Sequence, residues 1–90
     1  MAEYQYPLRA DWSTDEVVAV IDFFNQVEKA YESSVDREDF MKHYRLFKKV
    51  VPSMAEEKTI CKEFEDSSGY VAFRVVKLAK ESVSGDQLKI

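Results

Sequence analysis

Ninety residues, 46% of them hydrophobic and 13% aromatic, fit one ordered domain, and two glycines with two prolines exclude long disordered or low-complexity segments. A domain this short buries only about 60 to 65% of its unfolded surface, so its core has to be dense. The single cysteine excludes an intramolecular disulfide and a four-thiolate zinc site, and a net charge of −4 argues against an overall basic footprint for nucleic acid.

Such cysteine usage fits a reducing, cytoplasmic compartment. The start, Met1-Ala2-Glu3-Tyr4, has no basic n-region or apolar h-region. The longest apolar stretch, Val17 to Phe24, is broken by Asp22 and is too short to cross a bilayer, so no membrane association is expected. Charge is split along the chain. Residues 1–36 carry eight acids against two bases, residues 37–80 ten bases against seven acids, and the tail adds one net acid.

In chain order, residues 1–12 read as an extended arm. Tyr4, Tyr6 and Leu8 alternate with polar neighbours, and Pro7 forbids a helix through them. Ser13-Thr14-Asp15-Glu16 is a capping box inside a Trp12/Val17 staple, and it opens a helix over Thr14–Glu32. On that helix Val17, Val20, Phe23, Phe24, Val27 and Tyr31 share one side, while Asp22, Asn25, Gln26 and Lys29 take the other. Ser33-Ser34 interrupts the pattern. Asp36 then caps a second helix, Arg37–Val50, stopped by Pro52, with Phe40, Tyr44, Phe47 and Val51 as its seam and Leu46 with Val50 widening it. Lys42, Arg45, Lys48 and Lys49 are placed on its outer face.

Ser53 and Glu56 begin a third helix, Met54 to about Asp66, with only a narrow apolar strip of Met54, Ile60, Cys61 and Phe64. The carboxylate pairs Glu56/Glu57 and Glu63/Glu65 are therefore expected in solvent. Ser67-Ser68-Gly69 is a break, and a fourth helix, Tyr70–Glu81, has the widest apolar arc and should be central. The tail from Ser82 to Ile90 contains Gly85, shows no periodicity, and is expected to fray. The sum is an all-α chain, a compact four-helix up-down bundle with an extended N-terminal arm, forming a single domain over residues 1–90.

No pattern for chemistry emerges. His43 stands alone at the edge of a seam, Cys61 sits in an apolar strip, and Ser13, Ser53 and Ser68 are accounted for by helix starts and a break. Two glycines cannot build a phosphate loop. No enzyme activity, cofactor or metal is expected. Two binding roles remain. In the first, an aromatic rim with Tyr4, Tyr6 and Trp12 contacts an unknown protein partner or a second copy of the chain. In the second, helices three and four act like a helix-turn-helix that offers Tyr70, Arg74, Lys77 and Lys80 to nucleic acid.

The ordered strings Tyr4-Gln5-Tyr6-Pro7-Leu8, Asp11-Trp12-Ser13, Val27-Glu28-Lys29-Ala30-Tyr31-Glu32, Tyr44-Arg45-Leu46-Phe47-Lys48, Val51-Pro52-Ser53 and Ser68-Gly69-Tyr70 carry a resemblance. So do Glu56-Glu57-Lys58, Glu63-Phe64-Glu65 and Arg74-Val75-Val76-Lys77. Over residues 4 to about 80 the chain resembles uncharacterised protein family 0223, small cytosolic proteins of Bacillus-like bacteria. The resemblance implies an all-α bundle and carries no reaction, ligand or functional residue with it. It also leads one to expect a glycine where Ser33-Ser34 stands, so the end of the first helix should be less sharply turned.

Overall fold

The computed structural model describes residues 8–90, and the segment containing Tyr4 and Tyr6 lies outside them. Four α-helices carry the described chain: α1 (Thr14–Glu32), α2 (Arg37–Val50), α3 (Met54–Ser68) and α4 (Ala72–Glu81). The architecture is the all-α bundle expected. Two short strands, β1 (Val35–Asp36) and β2 (Gln87–Leu88), add a feature absent from the sequence expectation.

The helix starts follow from local hydrogen bonding. At α1 the Glu16 amide donates to Ser13 Oγ (3.2 Å) and the Ser13 amide to Glu16 Oε1 (2.8 Å), a complete capping box. Asp36 Oδ2 accepts from the Asp39 amide at 3.1 Å, and Ser53 Oγ from the Glu56 amide at 3.4 Å. The α1 terminus at Ser33 has φ −148°, with its amide donating to the Lys29 carbonyl at 2.7 Å. No left-handed residue is used there. At the end of α3, Gly69 adopts φ 82°, the left-handed cap that glycine favours.

The start of α4 differs from expectation. The helix begins at Ala72 rather than Tyr70, and its N-cap Val71 offers no side-chain acceptor. The cap comes from 40 residues away: the Val71 amide donates to the Tyr31 hydroxyl at 3.1 Å, and that hydroxyl donates to the Val71 carbonyl at 3.5 Å. Tyr70 stacks on Tyr31 with ring centres 4.5 Å apart and an interplanar angle of 12°. At the other end Arg37 Nε donates to the Ala79 carbonyl at 3.0 Å. Residues of α1 and α2 thus hold both termini of α4.

Phenylalanines join the layers. Phe23 of α1 stacks on Phe47 of α2 at 4.5 Å, and Phe24 of α1 stacks on Phe64 of α3 at 4.2 Å. Such pairs contribute about 0.5–1.5 kcal/mol each beyond their buried area. Ala72, Val75, Val76 and Ala79 of α4 are buried in the same core, which makes α4 as central as its wide apolar arc requires.

Two expectations are corrected. The tail does not fray: β2 pairs antiparallel with β1, Val35 opposite Leu88 and Asp36 opposite Gln87, and Leu88 is fully buried. The Arg37 amide donates to the Asp86 carbonyl and the Ile90 amide to the Ala30 carbonyl, both at 2.9 Å, fastening the segment on either side. Leu46, assigned to the seam of α2, is instead exposed.

Candidate functional site

The fastened tail completes a groove on α4. Arg74, Lys77 and Glu81 project from the outer side of that helix and Leu78 is half-buried beneath them. Lys89 and Ile90 are carried alongside by the β1–β2 pairing, and the six residues line an open, shallow depression of about 470 Å³. Its walls carry three bases, Arg74, Lys77 and Lys89, and one acid, Glu81, and its floor, Leu78 and Ile90, is apolar. Among the described residues no ion pair engages Arg74, Lys77 or Lys89, whereas Arg9, Arg37, Lys48 and Lys62 each pair with a carboxylate. Free guanidinium and ammonium groups above an apolar floor suit a ligand that carries both carboxylate or phosphate oxygens and an aliphatic or aromatic group.

The four residues put forward for nucleic acid do not share one face. Arg74 and Lys77 line the groove, but Tyr70 is held in the Tyr31 stack and donates to Glu32 Oε2 at 2.9 Å. Lys80 lies over the Tyr44 ring, its Nζ 5.9 Å from the centroid. Of the aromatic trio, Trp12 is half-buried against the core, and a two-bond Arg9–Glu63 pair (2.7 and 3.3 Å) ties the chain just before it to α3.

A second constellation was missed by sequence reasoning. Glu57, expected in solvent, is only 1% exposed. Its Oε2 accepts from the Tyr44 hydroxyl at 3.0 Å and its Oε1 from Lys48 Nζ at 2.5 Å, so Lys48 leaves the outer basic face of α2. The signal was present: positions 57, 60, 61 and 64 have the i, i+3, i+4, i+7 spacing of a single helix stripe, with a carboxylate in an otherwise apolar row. Burial first, then the Glu57 charge, pushes the Tyr44 hydroxyl up to about 12, so it stays a donor throughout the neutral range. Cys61 follows the same course. Burial first, then the Glu57 charge, raises its thiol to about 12, with Lys48 opposing, and a thiol so protonated is a poor nucleophile.

His43 is not brought to Cys61 and Glu57. It lines a separate hollow between α1 and α2 together with Asp22, Gln26, Lys29 and Glu32, and its Nδ1 lies 2.7 Å from the Asp39 carbonyl oxygen. Gln26, placed on the polar side of α1 from its sequence position, is 9% exposed. Among the described residues no group of three or more His, Cys, Asp or Glu side chains is arranged to hold a metal ion, and no helix is long and apolar enough to cross a membrane.

Similarity to known proteins extends over nearly the whole chain. It is 52% identical over 88 residues to a UPF0223 protein of Lysinibacillus sphaericus, covering 98% of this chain and 93% of the relative. It is 58% identical over 80 residues to UPF0223 protein YktA of Bacillus subtilis, covering 89% and 91%. A relative from Streptococcus uberis, UPF0223 protein SUB0967, is 54% identical over 82 residues, covering 91% and 89%. These names carry no activity, and the family model described as "Uncharacterised protein family (UPF0223)" matches residues 3–88. The chain belongs to the UPF0223 family.

Proposed function

We propose that the protein is a non-enzymatic binding module of the cytoplasm that acts through protein contacts, with the groove between α4 and the C-terminal segment as its contact face. One observation carries the reading: three bases without an ion-pair partner among the described residues, Arg74, Lys77 and Lys89, outnumber the single acid Glu81 around Leu78 and Ile90 on a chain that is acidic overall. Among the described residues Lys29, Lys42, Arg45, Lys49, Lys58 and Lys80 also lack an ion pair, so what distinguishes Arg74, Lys77 and Lys89 is their place beside Leu78 and Ile90. The partner is an acidic peptide segment with an aliphatic side chain, its carboxylates on Arg74 and Lys77 and its apolar group on the floor.

A phosphodiester backbone would use the bases and leave the apolar floor idle. The dispersal of Tyr70 and Lys80 also weakens the helix-turn-helix reading. Selection from a displayed peptide library tests the proposal. Peptides carrying carboxylates next to an aliphatic residue should be enriched on the wild-type chain and should lose binding to the Arg74→Glu/Lys77→Glu variant at unchanged thermal stability. Peptides that bind both chains equally, or tighter binding of a DNA or RNA duplex whose log affinity falls linearly with log salt, would overturn it.

A further inference from the structure

The outer sides of α1 and α2 form a second face, independent of the α4 groove. Asp22 of α1 and His43 of α2 line one open depression, so the two outer sides look the same way. On α1, Val18 and Asp22 are turned away from the core residues Val20, Phe23, Phe24 and Val27. On α2, Arg45, Leu46 and Lys49 are turned away from Phe40 and Phe47. Two large aliphatic side chains stand in water on this face: Val18 is 49% exposed and Leu46 39%, and neither belongs to the core cluster.

Charge here is sorted by helix. From Thr14 to Asn25, α1 carries Asp15, Glu16 and Asp22 and no base; from Tyr44 to Val50, α2 carries Arg45, Lys48 and Lys49 and no acid. Asp15 and Glu16 are accounted for by the helix start, and Lys48 by Glu57. That leaves Asp22 on one helix and Arg45 and Lys49 on the other, none of them in an ion pair among the described residues. The stack of Phe23 on Phe47 fixes the register of the two helices and places Asp22 within about one turn of the level of Lys49. A two-fold axis parallel to the helices therefore lays α1 of one copy on α2 of the other with acid opposite base, and symmetry repeats the contact. Acid on one helix and base on its neighbour at one level make a surface that complements itself.

We propose that the outer face of the α1–α2 pair is a homodimer interface, in which Asp22 of each protomer pairs with Lys49 of the partner subunit beside Val18 and Leu46 from both copies. With α2 about 21 Å long and helix axes roughly 10 Å apart, the footprint is on the order of 400 Å² per copy, small for a specific interface, so the dimer is weak and reversible. Lys29, further along the same side of α1, comes to the level of Lys42 of the partner subunit and opposes the contact.

Sedimentation equilibrium of the full chain at rising concentration is the test. The wild-type chain should pass reversibly from monomer to dimer, and added salt should weaken the association. Asp22→Lys and Lys49→Glu should each weaken it at least about tenfold at unchanged thermal stability, because each variant sets two like-charge pairs in its own dimer. Mixed one to one, the two variants should associate again, since the reversed charges meet across one contact and the native charges across the other. Lys29→Glu should strengthen association. Arg74→Glu/Lys77→Glu, which alters only the α4 groove, should leave it unchanged, so failure of the peptide-binding reading and failure of this one give different results. A chain that stays monomeric at its highest soluble concentration would overturn the proposal, as would a mixture that associates no better than either variant alone. So would association abolished by Arg74→Glu/Lys77→Glu. Should a charge reversal fail to fold, Leu46→Gln, at a site already exposed, takes its place, and unchanged association there would count equally against the interface.

Discussion

Glu57 offers a sharp test of how this small core tolerates a charge. Lys48→Met leaves an ionised carboxylate at 1% exposure, with only the Tyr44 hydroxyl to donate to it. Breaking a fully buried pair costs about 3–5 kcal/mol, but the Lys48 side chain is 28% exposed and water recovers part of the loss, so we expect about 2–3 kcal/mol. Against a total stability of roughly 5–13 kcal/mol for a chain of this length, that is a large fraction. Glu57→Leu strands the Tyr44 hydroxyl, while Lys48 can turn to solvent, and should cost about 1–2 kcal/mol. In Lys48→Met/Glu57→Leu both charges are gone and the apolar strip of α3 is continuous. That variant still strands the Tyr44 hydroxyl, so it should cost about 1–2 kcal/mol, no more than Glu57→Leu alone. The assay is urea unfolding of all four proteins at neutral pH, with slopes compared to confirm an unchanged unfolded state. The two single costs adding in the double variant, or Lys48→Met costing under about 0.5 kcal/mol, would refute the view that the pair acts as a buried unit.

Further expectations follow from the long-range fastenings. Tyr31→Phe keeps the ring on Tyr70 but removes the hydroxyl that caps α4; it should cost about 1–2 kcal/mol and speed amide exchange at Val71 and Ala72, and unchanged exchange there would contradict the cap. Leu88→Ala empties a fully buried site and should cost about 2–5 kcal/mol by thermal or urea unfolding, whereas a fraying tail would show almost none. Alkaline pH should destabilise the fold through Cys61. Its folded-state pKa, about 12, lies above the reference value of 9.0, so the folded state retains the proton that the unfolded state gives up. Its contribution is complete below pH 9.0 and is lost as the pH rises toward about 12. Cys61→Ala should therefore show a shallower fall in urea midpoint over that window, and equal slopes for the two proteins would speak against a buried, protonated thiol.

The helices were legible because their signals are local. Ser13, Asp36 and Ser53 each cap an amide three positions on, so a short string is enough to place the start. Where the deciding contact is distant the string falls silent. Nothing near Val71 announces that the cap of α4 is Tyr31, and nothing in residues 82–90 announces that Leu88 will pair with Val35 and fill the core. Buried polar groups were obscured for a related reason. Gln26 and Glu57 were assigned to solvent by residue type, although their positions fall beside apolar neighbours three and four residues away. Arg74 and Lys77 were visible as outward bases, but the groove they line also needs Lys89 and Ile90, whose place depends on the strand pairing.

The contact face is tested most directly by amide chemical-shift mapping with a selected acidic peptide. Shifts should centre on Arg74, Lys77, Leu78 and Lys89 and disappear together in Arg74→Glu/Lys77→Glu. Shifts centred on Trp12, with the α4 groove silent, would be incompatible with a contact face on α4.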